Sequence, residues 1–459
     1  MTGFGCQDAA PPTAPPELRP EEPAAAPGPN VLLVSLDTVA AGHMELYGYP
    51  RSTMPTLTRL AGEGAYFTRS WSQSPQTDGT HAALFTGRLS STTGRYHYDH
   101  ALRDSEQTLA EHFQSQGYRT WAITSSKKFE RETGLDQGFS VWEIQSDGPV
   151  IPRGDRAVAV ALEQMEVAPG QPWLGFVHLY DAHAPYTAPE PFRSTFHPGA
   201  PSIPPRDTVD YLSRHRYDKR IPPQHLQTLS DLYDAGLAHL DSRLGTLTEA
   251  ATRGGRDTIV VFISDHGEAF HEHGYLGHSI MLWEEIVRVP WVVWSPGRVP
   301  PGTRIDALSQ SIDLMPTLVE LAGLPPAGTT EGLSFAPALQ GAPQRFDASR
   351  PVVLQGVKRW GVIQETPNGL HKLTLKVNAN KRERLAAGEE VKRNGARLVE
   401  LRDDPGERTD LKADQAATAD QLFGILEALG AGNPLAQTAE RDDITVQDEE
   451  ALRAMGYVE

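Results

Sequence analysis

The sequence predicts an α/β fold: a large, mostly parallel sheet with helices on both faces, plus a smaller C-terminal α+β subdomain. Three observations carry this expectation. Near-continuous apolar runs recur at residues 30–37, 120–124, 173–179, 259–263 and 289–294, as in parallel strands covered on both faces. Helical periodicities lie between them, and strands alternating with helices imply a parallel sheet. Several runs end in polar residues: Asp37 after the first, His178 and Asp181 after the third, Asp265 and His266 after the fourth. Open α/β sheets gather their sites at the carboxyl ends of strands, so one active site is expected there.

Each segment has its own reason. Residues 1–29 read as a tail, because from residue 7 they are mostly Ala, Pro and Glu and cannot bury a core. The only cysteine, Cys6, closes Thr2-Gly3-Phe4-Gly5-Cys6. That is similar to the end of a bacterial lipoprotein signal. On that reading Cys6 carries lipid, the tail is a membrane tether and the protein is extracytoplasmic; the other reading is an ordinary disordered terminus.

A catalytic domain is expected over 30–345. Its helix at 105–116 carries Leu109, Ala110 and Phe113 on one face. A long amphipathic helix at 223–251 repeats Leu226, Leu229, Tyr233, Leu237, Leu240 and Leu244 every three or four residues. A further helix is expected at 312–322. Short strand-like pieces at 352–357 and 372–377 mark a smaller subdomain over 346–459.

Bulk properties narrow the function. A net charge of −17 argues against a nucleic-acid partner, which needs clustered Lys and Arg. One cysteine rules out a disulfide framework or thiolate metal cluster. No apolar stretch reaches the roughly 18 residues of a transmembrane helix.

The chemistry concentrates in two motifs. The first is Ser74-Pro75-Gln76-Thr77-Asp78-Gly79-Thr80-His81, followed by Ala82-Ala83-Leu84-Phe85-Thr86-Gly87-Arg88. The second is Phe262-Ile263-Ser264-Asp265-His266-Gly267-Glu268. Together they resemble the sulfatase family of the alkaline phosphatase superfamily, and the likeness runs from residue 30 onward. In ordinary sulfatases a Cys-x-Pro-x-Arg motif begins where Thr77 stands, and its Cys becomes formylglycine. Here Thr77, Gly79 and His81 occupy the Cys, Pro and Arg positions, so the usual formylglycine chemistry is excluded.

The resemblance implies one divalent metal held by Asp37, Thr77, Asp265 and His266. Carboxylate, imidazole and alkoxide are hard-to-borderline ligands that suit Zn²⁺, Mn²⁺ or Ca²⁺. Sulfatases usually open with Asp-Asp and carry a late Asp-Asn pair, where this chain has Asp37-Thr38 and Asp265-His266. That ligand set is similar to lipoteichoic-acid-synthase-type phosphoglycerol transferases, which use manganese, and its Asp-His ending to phosphonate monoester hydrolases.

Thr77 is the expected nucleophile, activated by the metal. A helix is expected after it, with Thr80 as N-cap and Gly87 near its end, aiming backbone N–H groups at an anionic ester. His183, in His178-Leu179-Tyr180-Asp181-Ala182-His183, and His278, after Gly277, match substrate-side positions of the family and are the further catalytic candidates. His81, Lys127 and Lys128 are candidate substrate-binding groups.

The leading expectation is a metal-dependent hydrolase of phosphate or sulfate esters, phosphodiesters favoured. Its substrate would be a small molecule, a glycan or a lipid-linked ester. Two alternatives stay open: a phospho-headgroup transferase on lipid or glycan acceptors, and a non-catalytic binding protein on the same fold.

Overall fold

Strand Asn30–Leu36 (β1) lies near the middle of an eight-stranded sheet, and all of its residues are buried. The computed structural model describes residues 28–440 apart from 96–99, 131–132, 146–153, 169, 254, 256, 343–345, 348, 379–392, 394 and 432–438. Cys6, the proposed tether and the last residues therefore lie outside the described residues.

The other seven strands are Ala65–Phe67 (β2), Arg119–Thr124 (β3), Val141–Ile144 (β4), Trp173–Leu179 (β5), Thr258–Ser264 (β6), Trp291–Trp294 (β7) and Thr303–Ile305 (β8). Their order is β8-β2-β7-β6-β1-β5-β3-β4. β7 pairs antiparallel with both β6 and β2, and the remaining pairings are parallel. The apolar run at 289–294 is thus a strand, but the one that runs against the others. Covering on both faces makes either direction equally apolar.

One face packs helices Pro55–Glu63 (α1), Gly154–Glu166 (α4) and the thirty-residue Pro223–Thr252 (α5). The other packs Thr77–Thr86 (α2), Leu109–Ser115 (α3) and Leu314–Leu321 (α6). On α5 the residues Leu229, Tyr233, Leu237, Leu240 and Leu244 are all buried, as the periodicity requires. The helix expected at 105–116 begins only at Leu109, because Thr108 and Glu111 form a reciprocal capping box that fixes its start.

Beyond residue 351 comes an antiparallel sheet of Val352–Gln355 (β9), Arg359–Thr366 (β10), Gly369–Lys376 (β11) and Arg397–Glu400 (β12), in that order. Its two faces alternate. Trp360, Val362, Leu373 and Leu398 pack on helix Ala416–Ala431 (α7) through Leu422, Phe423 and Leu426. Ile363, Leu370 and Val399 face Trp71, Leu282 and Ile286 of the larger unit. Buried Lys372 reaches 3.0 Å from both Glu284 and Glu407 at this junction. Among the described residues no helix is long and apolar enough to cross a membrane.

Candidate active site

The site forms where neighbouring strands end together. In the register, Leu36 of β1 sits beside both Ser264 of β6 and Leu179 of β5. The next residues, Asp37 and Asp265, therefore emerge side by side at the carboxyl edge. Thr38 follows Asp37 at φ 64, a left-handed conformation that is unusual for a β-branched residue. Strained backbone of this kind is held in place by its surroundings. Here Thr38 N–H donates to Asp265 Oδ1 (3.1 Å) and the Thr38 hydroxyl donates to Asp37 Oδ1 (2.6 Å).

Gly267 completes the second motif. A Cβ there would lie 2.2 Å from the Glu285 carbonyl, so only glycine lets the chain pass. The residue serves a close backbone approach, with no need of a positive φ.

Thr77 is the first residue of α2, and Gln76 is its N-cap. Thr80, expected as the cap, lies inside the helix, and its hydroxyl donates to the Ser74 carbonyl at 3.0 Å. Gly87 ends the helix as expected, at φ 64. Thr77 Oγ1 stands 3.3 Å from His266 Nε2.

The four expected metal ligands converge. His266 Nε2 is 3.6 Å from Asp265 Oδ2 and 4.0 Å from Asp37 Oδ1. Donors on a tetrahedron with bonds of about 2.1 Å stand roughly 3.4 Å apart, close to these separations. His266 Nδ1 donates to the Gly267 carbonyl at 3.1 Å, so its lone pair is on Nε2. Among the described residues, Asp265 Oδ2 is a buried oxygen with no hydrogen-bond donor, and Asp37 Oδ2 has only the His178 imidazole 3.1 Å away. The residues thus fit a divalent cation.

The electrostatics agree. Burial, and then the Asp37 charge beside it, push the Asp265 carboxyl well above the usual range. Burial opposes the Asp37 charge too, but His178, His183 and His266 around it hold that carboxyl well below its ordinary value. Two buried carboxylates side by side need a positive partner.

His178 lies within β5, fully buried, and it touches the site, with Nε2 3.1 Å from Asp37 Oδ2. His81 Nδ1 donates to the Thr77 carbonyl and its Nε2 accepts from the Ser35 hydroxyl, both at 2.8 Å. Burial pushes the His81 imidazole down to about 3. His81 therefore braces the backbone of Thr77 from below, which is a positioning geometry and not a substrate-facing one. Its ring stands 3.9 Å from Asp265 Oδ2, with both nitrogens already engaged.

The two lysines part company. Lys128 is buried, with Nζ 3.5 Å from Asp78 Oδ2. Burial pushes its ammonium below the usual value despite Asp78. Lys127 is exposed and is not brought to the site. The two are consecutive in the 3₁₀ turn Lys127–Phe129, where successive side chains diverge by about 120°.

His183 and His278 do meet, edge to face with centroids 5.0 Å apart. His278 also stacks on His266 at 4.3 Å. Burial pushes His183 down to about 4 and His278 well below its ordinary value.

Sequence reasoning gave no role in the site to four buried residues, Asp78, Arg95, Tyr233 and Glu268. Asp78 lies between Lys128 and fully buried Arg95, whose guanidinium is 3.6 Å away. Tyr233 spans the Thr38 turn, and Glu268 holds His278. Glu268 stands within the second motif, which was the available signal. Arg95 has no local pattern that would have marked it.

A mostly parallel sheet with two carboxylates, an imidazole and a hydroxyl gathered at its strand ends has the alkaline phosphatase-like architecture. Residues 29–324 match the Sulfatase family model, and the chain belongs to the sulfatase family. It is 30% identical over 361 residues to arylsulfatase A from Bos taurus, an alignment covering 69% of each chain. Among solved structures it is similar to a protein captured with its substrate D-glucosamine-2-N,6-O-disulfate. That match has a TM-score of 0.71 and 19% identity, covering 89% of this chain and 100% of the other. It is also similar to a phosphonate monoester hydrolase from Silicibacter pomeroyi, with a TM-score of 0.68 and 18% identity, covering 90% and 100%.

Proposed function

We propose that this chain is a metal-dependent phosphoester hydrolase, phosphodiesters favoured, with Thr77 as nucleophile. The observation that carries the reading is the Thr77 hydroxyl, 3.3 Å from His266 Nε2, the imidazole that clusters with the buried carboxylates of Asp37 and Asp265. A divalent cation held by Asp37, Asp265, His266 and Thr77 would lower the hydroxyl's pKa and offset charge on the transferred group. The imidazole in the set favours Zn²⁺ or Mn²⁺ over Ca²⁺.

Thr77 Oγ1 attacks phosphorus as its own proton leaves to solvent, and His183 or His278, once it has taken up a proton on Nε2, gives that proton to the departing oxygen. The first turn of α2 directs its N–H dipoles at the anionic group. Lys128 supplies positive charge from the same side, and His81 keeps the Thr77 backbone fixed. Water then cleaves the phospho-threonine and restores the hydroxyl.

Threonine favours phosphorus over sulfur. A formylglycine hydrate expels sulfate as its aldehyde reforms, whereas an ester of Thr77 has no such exit and must be attacked directly. Direct attack on a phosphoryl group is well supported by metal and dipoles. Sulfate esters are the second reading, favoured by the 30% identity to an arylsulfatase A.

The test is a paired profile of wild type and Thr77→Ala on aryl sulfate, phosphate monoester, phosphodiester and phosphonate, with Mn²⁺, Zn²⁺ or Ca²⁺ added in turn. Metal-dependent phosphodiester turnover that disappears in Thr77→Ala is expected. Aryl sulfate turned over faster than the phosphorus esters would move the assignment to sulfur.

A further inference from the structure

The buried glutamate of the second motif has a geometry that the metal site does not account for. Glu268 is fully buried, three residues after Asp265. Its Oε1 lies 2.9 Å from His278 Nδ1, and its Oε2 accepts from the Tyr186 hydroxyl at 2.9 Å. Topology brings the two residues together. Ala269–Phe270 pairs antiparallel with Leu276–Gly277, and the register sets Gly277 opposite Ala269. Glu268 and His278 therefore face each other at the open end of that ribbon.

The imidazole is fixed from other directions as well. Ser279 N–H donates to the Pro75 carbonyl at 2.9 Å, two residues before Thr77, and Ser279 is held at φ 88. The Tyr275 hydroxyl donates to the His278 carbonyl. The ring stacks on His266, the imidazole nearest Thr77 Oγ1.

A carboxylate can only accept hydrogen bonds, so the proton of a neutral His278 must sit on Nδ1 and its lone pair on Nε2. We propose that Glu268 is the positioning residue of His278, fixing its tautomer and ring plane so that Nε2 is the nitrogen offered to the reacting group. Tyr186 completes the arrangement by holding the second carboxylate oxygen, so that the first cannot turn away. A histidine at this place needs such a partner because it has two inequivalent nitrogens. A lysine, with one rotating ammonium, would not.

This inference rests on the proposed reading of His278 as a substrate-side group, and two readouts keep the two ideas separable. Nitrogen NMR of ¹⁵N-histidine-labelled full-length protein reads the tautomer without any substrate. Wild type is expected to show His278 with a protonated Nδ1. Glu268→Ala is expected to shift that signal toward the other tautomer. An unchanged His278 signal in Glu268→Ala overturns the proposal, whatever the enzyme turns over.

The second readout is a double-mutant cycle with the ester found active. Glu268→Ala is expected to lower kcat about 10- to 100-fold with little change in KM, and to add nothing once His278 is Lys. An equal loss in the His278→Lys background would mean a merely structural role and would also overturn the proposal. Should Glu268→Ala fail to fold, Tyr186→Phe provides the same cycle. It is expected to give a smaller loss that likewise vanishes in His278→Lys, and persistence of that loss counts against the idea.

Discussion

The hydroxyl of Tyr233, on the long helix α5, donates to the carbonyl of Thr38 at 2.7 Å, and it accepts from Ala40 N–H at 2.9 Å. One phenol thus closes the strained turn that aims Asp37 at Asp265. Tyr233→Phe leaves both backbone groups buried and unpaired, and is expected to cost about 1–3 kcal/mol of stability. Urea denaturation measures that cost. Metal affinity, measured by titration calorimetry, should fall with it, and an unchanged affinity would show that Thr38 holds its conformation without help.

Removing the cation should be felt by the whole domain. Its proposed ligands Asp37 and Asp265 directly follow β1 and β6, near the middle of the large sheet. A ligand that binds only the folded state stabilises it by about 2.7 kcal/mol at a hundredfold excess over Kd. Addition of Zn²⁺ or Mn²⁺ to chelator-treated protein should raise Tm, and the rise should shrink in Asp265→Asn. Equal rises in the two proteins would place the cation elsewhere.

The neighbouring lysines offer an internal control. Lys128→Ala removes a buried cation beside Asp78 and α2, and is expected to lower kcat/KM by about 10²-fold, as loss of one group that stabilises developing charge does. Lys127→Ala removes an exposed side chain and should leave turnover within about twofold of wild type. Matched steady-state assays decide it, and a larger effect from Lys127 would reverse their roles.

Stability should carry a pH signature far from the active site. Asp241 on α5 accepts from Thr56 N–H at 2.8 Å and Leu57 N–H at 2.9 Å in the first turn of α1. Burial nonetheless pushes its carboxyl up to about 6. An unfolded aspartate titrates near 3.9, about two units lower. The folded state therefore holds this proton more tightly, so the contribution is fully present below about pH 4 and is lost as pH rises through about 6. The stability of wild type relative to Asp241→Asn should fall across that window and stay flat above it. Denaturation at a series of pH values would show the slope, and a slope of the opposite sign would contradict it.

Much of this was legible in the sequence, and the misses have physical causes. The strand at 173–179 and the long helix were read within a residue, because both-face burial and helical spacing leave strong patterns. The direction of β7 left none, since an apolar strand is equally apolar read either way. Asp37, Thr77, Asp265 and His266 were legible as one group because two motifs and the strand-end rule pointed to one place. Which of Lys127 and Lys128 turns inward depends on a 3₁₀ turn that no periodicity announces. His81 was noticed one turn after Thr77, but its engagement with Ser35 comes from a strand 46 positions away. Such pairings exist only once the chain has folded.

Thr77 meets the His266 imidazole as a side chain the genetic code supplies directly. On the proposed reading, activity then waits on folding and a cation alone, with no enzyme needed to mature the nucleophile. Expression in a host that lacks any such maturation system should yield fully competent protein.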